Sequence, residues 1–300
     1  TKKTILFTII IWIFKEPVVN LLISLFPGND AMSLQMRVSI FHVIFNVTTT
    51  CLLLPFVKQL VQYSCFVIKD EKEEGDTLSL KHVDDRLIKT PPVALMQVKK
   101  EIDYMLGLVE ENISLSFLAV ETGSSEHDAK IRNNEKIINF TNRTLTDFLI
   151  KLSPTVEQSD EKIIGTYFHV LNDLERIGDH AENFHEIGVE MANKKIFFSE
   201  LASKEIATMR LKIFEMFAIS KDAFENHNKA HLPTLTTLEE TVDKMKKDLT
   251  ASHFTRLAEG NCNTSASPYY SSLVAGLERV ADHLVNVGYS VMNPTGSQQI

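Results

Sequence analysis

From Val93 onward the chain alternates long stretches, in which apolar residues recur at spacings of three and four, with short polar breaks. That spacing marks amphipathic helices, whose apolar stripe returns to the same face about every 3.6 residues. Met96, Ile102, Met105, Leu108 and Val109 form one stripe; Val170, Leu174, Ile177, Ala181 and Phe184 form another. Breaks at Gly123–Ser124–Ser125, Ser153–Pro154, Lys194–Lys195, Pro233 and the run from Gly260 to Pro268 predict helices over 93–122, 126–152, 159–193, 198–228, 233–259 and 268–292. The alternation and β-branched enrichment of strands are missing downstream of residue 70.

Upstream the pattern changes. Residues 4–26 are long enough to cross a bilayer but are interrupted by Lys15, Glu16 and Pro17. Residues 40–57 hold about the 18 residues that a spanning helix needs and carry no charge. His42, Asn46 and the Thr48–Thr49–Thr50 run on that stretch point to a protein-facing or water-lined side. Residues 69–92, with dense mixed charge, Gly75 and the Pro91–Pro92 pair, predict a linker. The expected architecture is all-α: a membrane region over 1–68 that ends in transmembrane helices, a linker over 69–92, and a helical domain over 93–294. That domain divides into two tandem three-helix bundles, about 93–195 and 196–294.

Charge and composition narrow the chemistry. A net charge of −8 excludes a nucleic-acid partner, which requires a basic surface, and suits cation binding instead. Cys51, Cys65 and Cys262 are too few and too scattered for a disulfide framework, which fits a reducing compartment. An opening on Thr1 without a charged leader and cleavage site reads as the tail of a longer chain. No Walker loop, G-x-G-x-x-G, G-x-S-x-G or H-E-x-x-H occurs, and no nucleophile stands beside a poised base, so no enzymatic activity is expected.

The informative feature is a duplication. Residues 171–184, LNDLERIGDHAENF, reappear as VAGLERVADHLVNV at 274–287, so that Glu278 matches Glu175 at an offset of 103 positions. In each copy two carboxylates stand four apart, Glu175 with Asp179 and Glu278 with Asp282, one turn apart on one helix face. Like charges so placed repel, and a fold that keeps both pairs is expected to bring cations to them. The middle helices carry a matching pair each, Glu135 with Asn139 and Glu239 with Asp243. Inward carboxylates from facing helices suit hard ions such as iron, manganese, magnesium or calcium. His180 and His283 lie about 100° round their helices from the aspartates, a position open to metal ligands but better suited to donors to a carboxylate or to plain surface residues. A solvated acidic face is the bland alternative, and the duplication with identical flanking Arg, His and Asn weighs against it.

LERIGDHAEN and LERVADHLVN resemble the metal-binding motif of the PhoU family, whose members carry two such three-helix repeats, and the resemblance covers about residues 93–292. It implies that Glu175, Asp179, Glu278 and Asp282 ligate clusters of iron or a similar transition ion such as manganese, with Glu135, Glu239 and Asp243 as additional ligands; Asn139 departs from the acid expected at its place. The stretch MRVSIFHVIFNVTTTCLLLPFVKQL looks like the closing membrane region of bacterial sodium-dependent phosphate cotransporters, and DDRLIKTPPVALMQ like their connector into a fused PhoU-like domain. That resemblance implies sodium-coupled phosphate symport across the inner membrane, with sodium as coupling ion, phosphate as substrate, and Phe45 and Asn46 as weak transport-site candidates. It also implies a multi-pass protein seated in the lipid bilayer, and a homo-oligomer is among the partners considered. Lys58, Lys69 and Lys72 favour a cytoplasmic bundle. The competing expectations are a membrane-tethered di-metal oxidoreductase, which would call for a Glu-x-x-His pattern, and a metal-free helical adaptor.

Overall fold

The structure is a computed structural model that describes residues 16, 19–20, 22–24, 26–28, 31–53, 78–260 and 262–292. The chain divides into two compact units, Thr1–Asp76 and Thr77–Ile300.

In the first unit, helix α1 spans Ala31–Leu53. Arg37, in its second turn, donates its guanidinium N–H groups to the carbonyls of Phe26 and Gly28, tying the preceding turn to the helix. Among the described residues no helix is long and apolar enough to cross a membrane. The expected span over 4–26 falls mostly outside the described residues, and the span over 40–57 continues past the described end of α1 at Leu53. Phe45 and Asn46 lie on α1, but their side chains, like Cys65, Lys58, Lys69 and Lys72, fall outside the described residues.

Among the described residues the second unit shows six long helices: α2 (Pro91–Thr122), α3 (Asp128–Leu152), α4 (Gln158–Asn193), α5 (Glu200–Asn226), α6 (Leu232–Ala258) and α7 (Ser267–Tyr289). Their bounds follow local chemistry. Proline stands in the first turn of α2, α6 and α7, where its missing N–H costs no helical bond. The Ser199 side chain accepts from the Ala202 N–H to open α5, and Gly123, at φ 67°, closes α2 by donating its N–H to the Ala119 carbonyl. No strand occurs among the described residues.

Helices α2, α3 and α4 pack on one another, as do α5, α6 and α7, and α4 packs on α7 to join the two bundles. The expected seam of α4 is buried throughout, at Val170, Leu174, Ile177, Ala181 and Phe184. On α2 the stripe holds for Ile102, Met105 and Val109, whereas Met96 is 62% exposed because it points away from the buried face that Ala94, Leu95 and Val98 already mark. Helices α4 and α7 run antiparallel: Asp173, midway along α4, meets His283 and Asn286 toward the end of α7, and Lys194 just past α4 meets Tyr269 near the start of α7. Their close approach requires Gly276, where a Cβ would stand 2.5 Å from the Phe184 ring.

Residues 78–90, part of the expected linker, are instead seated on the first bundle. The carboxylate of Glu101, only 1% exposed, accepts the backbone N–H groups of Lys81 and His82 at 3.2 and 2.7 Å. Leu80, Val83, Leu87 and Ile88 pack against the core, and a short 3-10 helix, Asp85–Lys89, leads into α2. Apolar residues interleaved with the charges account for this seat: the segment buries them by lying along the bundle rather than crossing open solvent.

Candidate metal centre

The acidic residues singled out in the sequence sort into two clusters, one per bundle, each set between a middle helix and a third helix. In the second bundle Glu239 and Asp243 stand one turn apart on α6 and Asp282 projects from α7. One carboxylate oxygen from each lies within 4.8 Å of the other two, and this is the one such group of three among the described residues. Oxygens that close suit a single hard cation bound by one oxygen from each residue.

Their electrostatics record the crowding. Burial raises the Glu239 carboxyl above its ordinary value, and Asp243 and Asp282 raise it further. Burial likewise raises Asp282, reinforced by Glu278 and opposed by Arg279. Glu239 and Asp282, which both favour taking up protons, are acids short of positive charge.

Glu278, expected as a ligand beside Asp282, is adjacent to this trio but outside it. Its Oε1 is 2.6 Å from the Lys246 ammonium, while its Oε2 is buried without a hydrogen-bond partner. Arg279 lies 3.7 Å from both Glu278 and Asp282, and Lys247 lies 3.8 Å from Asp243.

The first bundle assembles differently. Glu135 on α3 is 5% exposed, its Oε1 accepts from the Asn139 amide at 2.9 Å, and its Oε2, facing Gly178, has no hydrogen-bond partner. Burial pushes its carboxyl up to about 7, and the charges of Glu182, Asp179 and Glu175 add to the effect. Glu175 is itself raised by burial and by Asp179. Arg176 stands 3.9 Å from Glu175 and 3.8 Å from Asp179. Glu135, Glu175 and Asp179 therefore share a field, yet they do not converge as closely as the trio of the second bundle.

A buried carboxylate with a bare oxygen, surrounded by others, costs free energy unless a cation completes it. The residues present fit a bound metal ion on that ground: the donors are all carboxylate oxygens, and Glu135 is left incomplete without one.

His180 and His283 are not part of either acid group. His283 Nδ1 is 2.8 Å from Asp173 Oδ1, which also accepts from the Asn286 amide at 3.2 Å, so this histidine joins α7 to α4. The position matching Asp173 in the second repeat is Gly276, and the rings of His180 and His283 approach to 6.3 Å beside it. Burial lowers the pKa of His180, and His283 lowers it further. Sequence reasoning missed Asp173 and Lys246. Lys246 carries a readable signal, because it follows Glu239 by seven and Asp243 by three and so shares their face of α6.

Comparison with known proteins bears on this fold. Residues 102–187 and 206–291 each match the PhoU domain family. The phosphate-specific transport system accessory protein PhoU homolog 1 of Thermotoga maritima is 26% identical over 197 residues, 64% of this chain and 83% of that protein. A Salmonella typhimurium protein named "Putative inorganic phosphate export protein YjbB" is 21% identical over 293 residues, 95% of this chain. The match takes in 52% of that protein, so the chain spans about half its length. The crystal structure of PhoU from Pseudomonas aeruginosa superposes with a TM-score of 0.60 at 22% identity, covering 66% of this chain and 95% of the other, a likeness of fold.

Proposed function

Because the chain belongs to the PhoU domain family, we propose that its helical domain is a metal-binding regulatory module of a phosphate-transport protein in the inner membrane. The observation that carries this reading is the convergence of Glu239, Asp243 and Asp282 within 4.8 Å, duplicated in outline around the incomplete carboxylate of Glu135. In the second bundle Glu239, Asp243 and Asp282 hold a transition ion of the iron or manganese kind; in the first, Glu135, Glu175 and Asp179 do so. Such an ion supplies positive charge that cross-links a middle helix to a third helix. The third helices α4 and α7 form the larger part of the contact between the bundles, so a change in carboxylate spacing on either is transmitted to that contact. A regulatory rather than catalytic role follows, because the acids face one another across helices and no nucleophile or base pair stands among them.

For the membrane part, the proposal is phosphate movement coupled to sodium, with residues 1–68 in the lipid bilayer and the helical domain on the cytoplasmic side. It rests on the likeness of residues 36–60 and 84–97 to sodium-dependent phosphate cotransporters and on the phosphate-related names of the relatives. Those relatives favour a second reading of direction: the YjbB protein, matched along 95% of this chain, is named for export rather than uptake.

Two measurements test the proposal. Elemental analysis of the purified chain should find iron or manganese, and an Asp243→Asn/Asp282→Asn variant should lose the portion held by the second bundle. Equal metal content in both proteins would remove the site. Radiolabelled phosphate flux in vesicles that contain the whole transporter, with the sodium gradient imposed in either direction, should show dependence on sodium and reveal which way phosphate moves; flux indifferent to sodium would remove the coupling.

A further inference from the structure

We infer that Lys246 is an internal counter-cation of the second bundle, which holds Glu278 out of the carboxylate trio and thereby lowers the affinity of that site for metal. The inference deepens the metal-binding reading above and rests on it. Lys246 Nζ is 2.6 Å from Glu278 Oε1, with side chains 33% and 12% exposed. The second oxygen of Glu278 is buried and accepts no hydrogen bond, with the Arg279 guanidinium 3.7 Å away. A carboxylate with one oxygen on an ammonium and the other without a hydrogen bond is half satisfied, and it has an oxygen to offer in a place where water does not compete.

Position supports the same conclusion. Glu278 precedes Asp282 by one turn of α7, and Asp282 belongs to the trio. Lys246 shares the α6 face that carries Glu239 and Asp243. Its ammonium is therefore carried by the helix face that supplies two of the three ligands, and it is spent on Glu278. For Glu278 to become a fourth ligand, the ammonium must leave Oε1.

The first repeat lacks this device at the matching place. Aligning Glu135 with Glu239 and Asn139 with Asp243 sets Asn142 opposite Lys246. On the third helix the difference runs the other way: Glu182, whose charge raises Glu135, stands where α7 carries Val285. One pocket has gained a cation on its middle helix, and the other an extra acid on its third helix. The second site thus binds metal more weakly than its own carboxylates would allow, through three ligands rather than four.

The test uses the full chain and Mn²⁺ as the probe, with free Mn²⁺ read by electron paramagnetic resonance under equilibrium dialysis. All proteins carry Glu135→Gln, so that the second bundle dominates the binding. Lys246→Met should bind Mn²⁺ about tenfold more tightly than the parent, whereas Lys246→Arg, which keeps the charge, should stay within about twofold. A Lys246→Met affinity within about twofold of the parent overturns the inference. Should that variant fail to fold, acetylation of Lys246 in the unsubstituted chain, followed by peptide mass spectrometry, gives an independent reading. Saturating Mn²⁺ should speed acetylation of this amine several-fold as it leaves Glu278, and an unchanged rate with Mn²⁺ bound overturns the inference. Failure of Mn²⁺ to bind either the parent or Lys246→Met would instead remove the metal-binding reading itself.

Discussion

The two bundles carry the same acidic motif and do different things with it. In the second, three carboxylate oxygens from α6 and α7 come within 4.8 Å, and a lysine neutralises the neighbouring Glu278. In the first, one carboxylate, Glu135, is buried with a bare oxygen amid the charges of Glu182, Asp179 and Glu175. Duplication therefore copied the third-helix pairs faithfully while the positions around them diverged: Asn139 against Asp243 and Asn142 against Lys246 on the middle helix, Glu182 against Val285 on the third helix itself. The character of each site is set by what surrounds the motif rather than by the motif alone.

The sharpest way to break this comparison is to remove the matched aspartates one at a time. Asp282→Asn takes one of three close ligands from the second bundle and should weaken Mn²⁺ binding there by about 100-fold, because the remaining pair cannot enclose an ion. Asp179→Asn, at the matching place, should leave that binding unchanged. Titration of Mn²⁺ into each variant checks both. If the two substitutions weaken the same binding event equally, the pockets are not separate sites.

The next largest effect concerns stability of the metal-free protein as pH changes. Glu135 keeps its proton in the folded chain up to about 7, whereas in the unfolded chain it releases it near the ordinary value of 4.5. The folded state then binds more protons than the unfolded one between those values, so stability falls as pH rises through that window and levels off above it. Glu135→Gln removes the penalty and should raise stability at pH 8 by roughly 2 kcal/mol relative to its effect at pH 4. Glu239→Gln should act in the same direction but less, since Glu239 is only half buried. Chemical denaturation in the presence of a chelator measures both, and equal effects would contradict the difference in burial.

Much of this molecule was legible before its coordinates. The bounds of α2 to α7 fall within a few residues of the breaks in the apolar pattern, because Gly123, Pro233 and Pro268 act locally through dihedral preference and a missing N–H. The matched carboxylates on α4 and α7 were also visible, since a spacing of four fixes a face without reference to any partner. The rest depends on which face of one helix meets which face of another. Asp173 with His283 is a contact across 110 positions, and the seat of residues 78–90 depends on a buried Glu101 about 20 positions away. Mixed charge, Gly75 and the Pro91–Pro92 pair made that segment look like a linker, when Leu80, Val83, Leu87 and Ile88 supply enough apolar surface to hold it on the bundle.

A smaller effect should follow from restoring the missing acid of the first bundle. Asn139 now donates to Glu135 Oε1 at 2.9 Å, which partly stabilises that buried carboxylate. Asn139→Asp removes the donor, adds a charge and recreates the Glu-x-x-x-Asp pair of α6. It should tighten Mn²⁺ binding in the first bundle by about tenfold while it lowers the stability of the metal-free protein. Calorimetric titration checks the gain; a variant that binds no better would mean that Glu135, Glu175 and Asp179 are too far apart to exploit a further ligand.

The smallest expected change lies between the bundles rather than within them. Asp173 accepts from the His283 ring at 2.8 Å and from the Asn286 amide at 3.2 Å, while Gly276 stands at the matching place in the second repeat, where Phe184 fills the space. His283 is thus bound to a carboxylate across the α4–α7 contact, and its duplicate His180 faces a glycine. Asp173→Asn keeps the size and an acceptor oxygen but removes the charge, and so should cost about 1 kcal/mol of stability. The counterpart His180→Gln should cost less, since no hydrogen-bonded carboxylate faces that ring. Denaturation midpoints for the two variants decide between them. A larger loss from His180→Gln would show that the contact between the bundles draws its strength from the packing around Gly276 and Phe184, and that the Asp173 pair only sets the register.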